Sequence, residues 1–138
     1  MKAFLDTNVI LAAFLTQGVC SDLFRRAVAV EFEALVSDQV LQETKKHLQG
    51  KFGVPQPEVE RTLELIRGTC LVVPLPPSVS KVSRDPDDDA ILAAAATAKS
   101  EYLVTGDKDL LVLRKHEGME ILTPAAFVRC IESQKRGS

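Results

Sequence analysis

The stretch FLDTNVILAAF, Phe4 to Phe14, decides how this chain is read. An apolar approach meets Asp6, Thr7 and Asn8, and an apolar run resumes at Val9. Lys2–Leu5 reads as a strand and Val9–Leu15 as a helix. A carboxylate, a hydroxyl and an amide therefore fall together where the hydrophobic pattern calls for core. One of them would serve as a helix cap, worth about 1 kcal/mol. Capping gives no reason for all three.

Outward from this junction, strands and helices alternate. A helix over Ser21–Ala29 takes Ser21 as its cap. Glu31–Val36 is a short strand, and Ser37 caps a helix over Asp38–Gln49 whose apolar stripe is Val40, Leu41, Thr44 and Leu48. Pro57 suits the first turn of a helix that carries Val59, Leu63 and Ile66 at helical spacing. Leu71–Pro74 is a strand, and PLPPSVSKVSR (74–84) is a loop. Asp85-Pro86 opens a helix that continues through Ala98. Glu101–Thr105 and Met119–Leu122 are strands, and Thr123-Pro124 starts a last helix, with a short disordered tail expected from about residue 134. The alternation predicts a single α/β domain over residues 1–138, a mainly parallel sheet flanked by helices as a three-layer α/β/α sandwich. Such sheets bind ligands at the carboxyl ends of their strands.

The bulk composition narrows the function classes. With 138 residues, 46% of them hydrophobic, the chain builds one core. It has no run of 18 apolar residues, so no membrane span is expected. Three cysteines (Cys20, Cys70, Cys130) without a C-x-x-C favour reduced thiols and a cytoplasmic protein. Two distant histidines, His47 and His116, do not suggest a zinc site. A net charge of −2 excludes binding nucleic acid by a broad basic face. Scattered cations (Lys2, Arg84, Lys99, Lys108, Arg114) fall near strand ends or the helices beside them.

Acids recur where strands end and helices begin. Asp6 follows the first strand, and Asp107 and Asp109 follow EYLVT. Asp85, Asp87, Asp88 and Asp89 open one helix, and Glu43 lies within another. Each has an ordinary explanation: Asp85 as a cap, Asp87 and Asp88 as partners of the helix dipole, Asp107 and Asp109 in a turn, Glu43 as a solvated helix acid. Asp89 sits one turn in, directly before the apolar run Ala90–Ala93. Two carboxylates about 4 Å apart repel by roughly 4 kcal/mol at an effective dielectric of 20. Folding alone gives no reason to gather several, but a hard divalent cation does.

In this order and at these spacings, LDTNVIL, SDQVLQE, DPDDDAILAAA, YLVTGDKDLL and ILTPAAF make the chain resemble the PIN-domain ribonucleases, and within them the VapC-like toxins of prokaryotic toxin–antitoxin pairs. The resemblance covers almost the whole chain. It implies a Mg²⁺- or Mn²⁺-dependent endoribonuclease acting on single-stranded RNA, with a cognate antitoxin protein as partner. By the same resemblance Asp6, Glu43, Asp89 and Asp107 form the acidic metal cluster. Asn8 and Thr105 support it, and Asp109 acts through water or serves a second metal. TGDKDL holds two acids, of which Asp107 is the better match for the fourth; within DDD, Asp89 is preferred. A homodimer is expected from this kinship and from the apolar helices near Leu11–Leu15 and Val59–Ile66.

Rival readings fit less of the chain. A haloacid-dehalogenase-like phosphatase also begins with an Asp after its first strand, but wants a second Asp where Asn8 stands. A receiver-like signalling domain needs an acidic pair near the first strand and an acceptor Asp at a middle one, and LVVPLPP offers none. A PIN fold kept only for binding would not require all four acids.

Overall fold

In the computed structural model, residues 1–74 and 76–137 are described; of the expected 74–84 loop, Leu75 lies outside them. The elements are β1 (Lys2–Leu5), α1 (Thr7–Leu15), α2 (Val19–Val28), β2 (Glu33–Ser37), α3 (Asp38–Gln49), α4 (Gln56–Thr69), β3 (Leu71–Val73), α5 (Pro86–Thr97), β4 (Tyr102–Val104), α6 (Lys108–Leu111), β5 (Lys115–His116), β6 (Met119–Leu122) and α7 (Pro124–Arg136). The sheet order is β3-β2-β1-β4-β6-β5. Every pairing is parallel except the β5–β6 hairpin. The expected fold class is borne out.

The core sits where β1 and β4 lie side by side, with Phe4, Leu5, Leu103 and Val104 all buried. Both strands are buried runs of four or fewer residues, as central parallel strands need to be. Helix α1 packs on α2 and α3, α3 on α4, and α2 on α7, while α5 lies against β2. From β1 the chain winds outward one way to β2 and β3, then returns to add β4 and β6 on the other side. The switch point is thus between β1 and β4, and sheets of this kind bind ligands at the carboxyl strand ends of that point.

Several boundaries differ from the sequence reading. Helix α1 begins at Thr7 because Asp6 itself is the cap, its carboxylate accepting from the Thr7 N–H. Helix α2 begins at Val19 with Gly18 before it, so Ser21 lies inside the helix. Strand β2 starts two residues late, at Glu33, after the turn at Val30. The expected tail is helical through Arg136. Val59, Leu63 and Ile66 are core residues, while Leu65 on the same helix is 47% exposed. Leu11, Ala12, Ala13 and Phe14 on α1 are only half-buried, and Leu15 is 36% exposed. No helix among the described residues is long and apolar enough to cross a membrane alone.

Candidate active site

The Asp6 N–H donates to the Val104 carbonyl at 3.1 Å, so β1–β4 pairing continues up to the carboxylate. Asp6 Oδ1 accepts from the Thr7 N–H at 2.8 Å; Oδ2 accepts from the Thr105 hydroxyl at 2.7 Å and the Asn8 amide at 3.1 Å. The Thr105 hydroxyl also accepts from the Asp107 N–H at 3.0 Å, and Asn8 Oδ1 from the Gly106 N–H at 3.0 Å. Two turns nearly 100 residues apart in sequence are laced together by Asp6, Asn8 and Thr105, while Thr7 gives Asp6 its backbone N–H and its buried hydroxyl has no partner among the described residues. This is the structural reason for polar residues at the end of a buried strand. Asn8 and Thr105, expected to support the cluster, both donate to Asp6 Oδ2.

The Asp107 carboxylate caps α6, accepting from the Asp109 N–H at 2.9 Å. Asp85 caps α5, accepting from the Asp87 N–H at 2.9 Å, with Pro86 in its first turn. The next acids part ways. Asp88, 8% exposed, faces Asp107; one carboxylate oxygen each from Asp88, Asp107 and Asp109 lie within 4.8 Å of one another. Asp89 turns from the cluster and receives the Val82 and Ser83 N–H groups and the Ser83 hydroxyl on one oxygen, at 3.0, 2.7 and 3.0 Å. The expected place of Asp89 in the cluster is therefore corrected: Asp88 fills it. Successive helical residues point about 100° apart, so only one of the two can face Asp107. Because α5 is apolar nearly all round, its sequence does not reveal which side faces the site.

Electrostatics bind Asp6 and Glu43 to the same place. Burial raises the Asp6 carboxyl above its ordinary value, against the lowering effect of its hydrogen bonds; the Asp107 charge raises it further. Glu43, half-buried on α3, is raised by burial and by the charges of Asp6 and Asp87. The first turn of α3 meets that of α5, Gln39 donating to the Asp87 carbonyl at 3.3 Å. Asp88 is pushed up to about 7, mainly by burial, then by the Asp107 and Asp85 charges. Asp109 is met by the Arg84 guanidinium at 2.8 Å. Of the other cations, Lys108 opens α6 beside the cluster, whereas Lys2 and Lys99 lie at the opposite, amino-terminal sheet edge.

The sheet order, the acid positions and the sequence converge on one family: its model, described as PIN domain, matches residues 2–109. The chain belongs to the PIN domain family. This PIN domain is similar to a chain of the VapBC2 assembly from Rickettsia felis, solved bound to a DNA fragment from its promoter. The TM-score is 0.64 and the identity 13%, over 89% of this chain and 98% of that one. It is also similar to the PIN domain endonuclease Utp24, with a TM-score of 0.51 and 21% identity over 88% and 84% of the two chains. Identities this low attest a common fold. No curated protein matches the chain in sequence.

The donor set fits a divalent cation. It is all oxygen and close-packed, one acid is driven to hold a proton, and another already draws a guanidinium. All three cysteines are free thiols outside this set; burial pushes Cys70 up to about 12.

Proposed function

We propose that this PIN domain is a Mg²⁺- or Mn²⁺-dependent endoribonuclease for single-stranded RNA and the toxin of a toxin–antitoxin pair. The observation that carries the reading is the convergence of Asp6, Asp88, Asp107 and Asp109, with Glu43 beside them, at the switch point of the sheet. Asp88, Asp107 and Asp109 would hold the cation, with Asp6 against them. Bound there, it would supply charge stabilisation at phosphoryl oxygens and a water ionised near neutral pH. Thr105, Asn8 and the Thr7 N–H fix both oxygens of Asp6, so this acid does not reorganise. Glu43, raised in the field of Asp6 and Asp87, is suited to take up the proton that hydrolysis releases.

Purified protein is expected to cut single-stranded RNA with Mn²⁺, to stop in EDTA, and to spare single-stranded DNA. Folded Asp6→Asn that cuts as fast as the parent would rule out this assignment.

The toxin role rests on the VapC-like resemblance and on a fold shared with the VapBC2 assembly. A cognate antitoxin protein is the partner proposed, and the free thiols fit a cytoplasmic setting. The half-buried side of α1, Leu11 to Phe14, ending in exposed Leu15, is proposed to meet a second copy in a homodimer. Sedimentation at tens of micromolar is expected to give the dimer mass, and a pure monomer would overturn this.

A further inference from the structure

Asp89 closes an acidic run and is 5% exposed, yet it faces away from the acids. Two consecutive backbone N–H groups and a hydroxyl converge on its Oδ1, an anion-binding arrangement built by the chain itself. Those hydrogen bonds hold its carboxyl below the ordinary value. What Asp89 holds is the pair Val82-Ser83 within the segment Ser78–Arg84, which is exposed except for half-buried Ser83.

The clamped pair Val82-Ser83 has a cation on either side. Lys81 precedes it, exposed and in no ion pair among the described residues. Arg84 follows it and reaches Asp109, its side chain 86% exposed. An ion pair this exposed is worth about 0–1 kcal/mol, so stability does not explain it. Its effect is to hold a guanidinium at the edge of an acidic cluster, in a protein of net charge −2. RNA approaching that cluster needs local cations, and a guanidinium binds phosphate oxygens in a fork that an ammonium lacks.

We infer that Ser78–Arg84 is a phosphate-binding strap for the RNA substrate, with Arg84 and Lys81 as the phosphate ligands and Asp89 as the positioning residue that locks them beside the acids. The inference rests on the metal-nuclease reading and adds to it how the strand is held. With a divalent cation held by the acids, Asp109 would be neutralised and the Arg84 guanidinium would be free to take a phosphate of the RNA.

The test is anisotropy of a labelled short single-stranded RNA on the whole protein, with Ca²⁺ in place of Mn²⁺ and the RNA checked to be intact. Calorimetric Mn²⁺ titration of each variant runs beside it. Arg84→Ala and Lys81→Ala are each expected to weaken RNA binding about tenfold and to reduce the salt slope by about 0.7 per contact removed. Asp89→Ala is expected to match their loss and add little to the Lys81→Ala/Arg84→Ala pair. Asp89→Asn keeps an acceptor oxygen and is expected to retain most of the RNA affinity. Mn²⁺ affinity should stay within about twofold of the parent in Lys81→Ala and Asp89→Asn, and should not fall in Arg84→Ala, which frees Asp109 of its guanidinium. Parent-like RNA affinity and salt slope in Arg84→Ala and Lys81→Ala, whose exposed side chains carry no fold, would overturn the strap. Loss of Mn²⁺ binding in Asp89→Asn would overturn the positioning role and make Asp89 a ligand. Full Mn²⁺ binding in both Asp88→Asn and Asp107→Asn would instead defeat the underlying metal reading, while the RNA titrations would still decide the strap.

Discussion

Asp88→Asn is expected to lower RNA cleavage by Mn²⁺-loaded protein about 100-fold or more, whereas Asp87→Asn leaves it within about twofold. The two are neighbours with identical chemistry, and only their direction differs. Asp87 is exposed in the first turn of α5, while Asp88 is buried and joins Asp107 and Asp109. A catalytic cation contributes several kcal/mol of transition-state stabilisation, and each 1.36 kcal/mol is tenfold in rate. The fold should survive, because Asn relieves a buried acid already disfavoured as an anion. Asp107→Asn should match Asp88→Asn. Asp109→Asn, whose partner Arg84 sits at the rim, should cost less. Asp89→Ala should act on KM and not on kcat, because the carboxylate it removes anchors Val82 and Ser83. Single-turnover and steady-state rates separate these outcomes. Parent-like cleavage by folded Asp88→Asn would remove it from the site.

The limits of the sequence reading have physical causes. Asp6, Asn8, Thr105 and Asp107 were legible because a parallel sheet forces the ends of its strands to one edge, so β1 and YLVT had to deliver their polar residues together. Ser37, Asp85 and Thr123 were legible as caps because each cap bond is local. The choice between Asp88 and Asp89 was not. It depends on helix rotation, and on α5 both phases are apolar: Asp88 is in step with Ile91, Leu92 and Ala95, and Asp89 with Leu92, Ala93 and Ala96. In sequence the 78–84 segment is a plain loop, because the bonds that anchor it to Asp89 leave no local pattern. Helix α6 is a four-residue turn, too short for any period. The β5–β6 hairpin turns at Glu117-Gly118, both at positive φ. That conformation suits a type I′ turn, but Glu-Gly is a weaker signal for it than Asn-Gly or Asp-Gly.

In EDTA the melting temperature is expected to fall as pH rises from about 5 to 8, and Mn²⁺ should reverse most of the loss. Asp88 titrates near 7 in the folded protein against an ordinary 3.8. Between those values the folded chain keeps a proton that the unfolded chain has released. The slope of unfolding free energy with pH is then negative. Stability is fully present below the unfolded value and is lost as pH rises through about 7. Asp6 and Glu43 are raised as well and act in the same sense. Asp89, Asp22 and Glu31 are lowered, so the stability they add is lost only as pH falls below about 4, outside this window. For Asp88 the loss is at most about 4 kcal/mol, on the order of 10 °C for a chain of this size. A divalent cation binds the folded, ionised cluster and restores about 2.7 kcal/mol at a hundredfold excess over its dissociation constant. It must displace the Asp88 proton, so Mn²⁺ affinity should drop by up to about tenfold per pH unit below 7, with proton release on binding. Asp88→Asn should flatten much of the EDTA profile and remove most of the Mn²⁺ response. A melting temperature in EDTA that holds level or climbs from pH 5 to 8, or a Mn²⁺ response unchanged in Asp88→Asn, would mean that the acids at this sheet edge do not share one charge-coupled cation site.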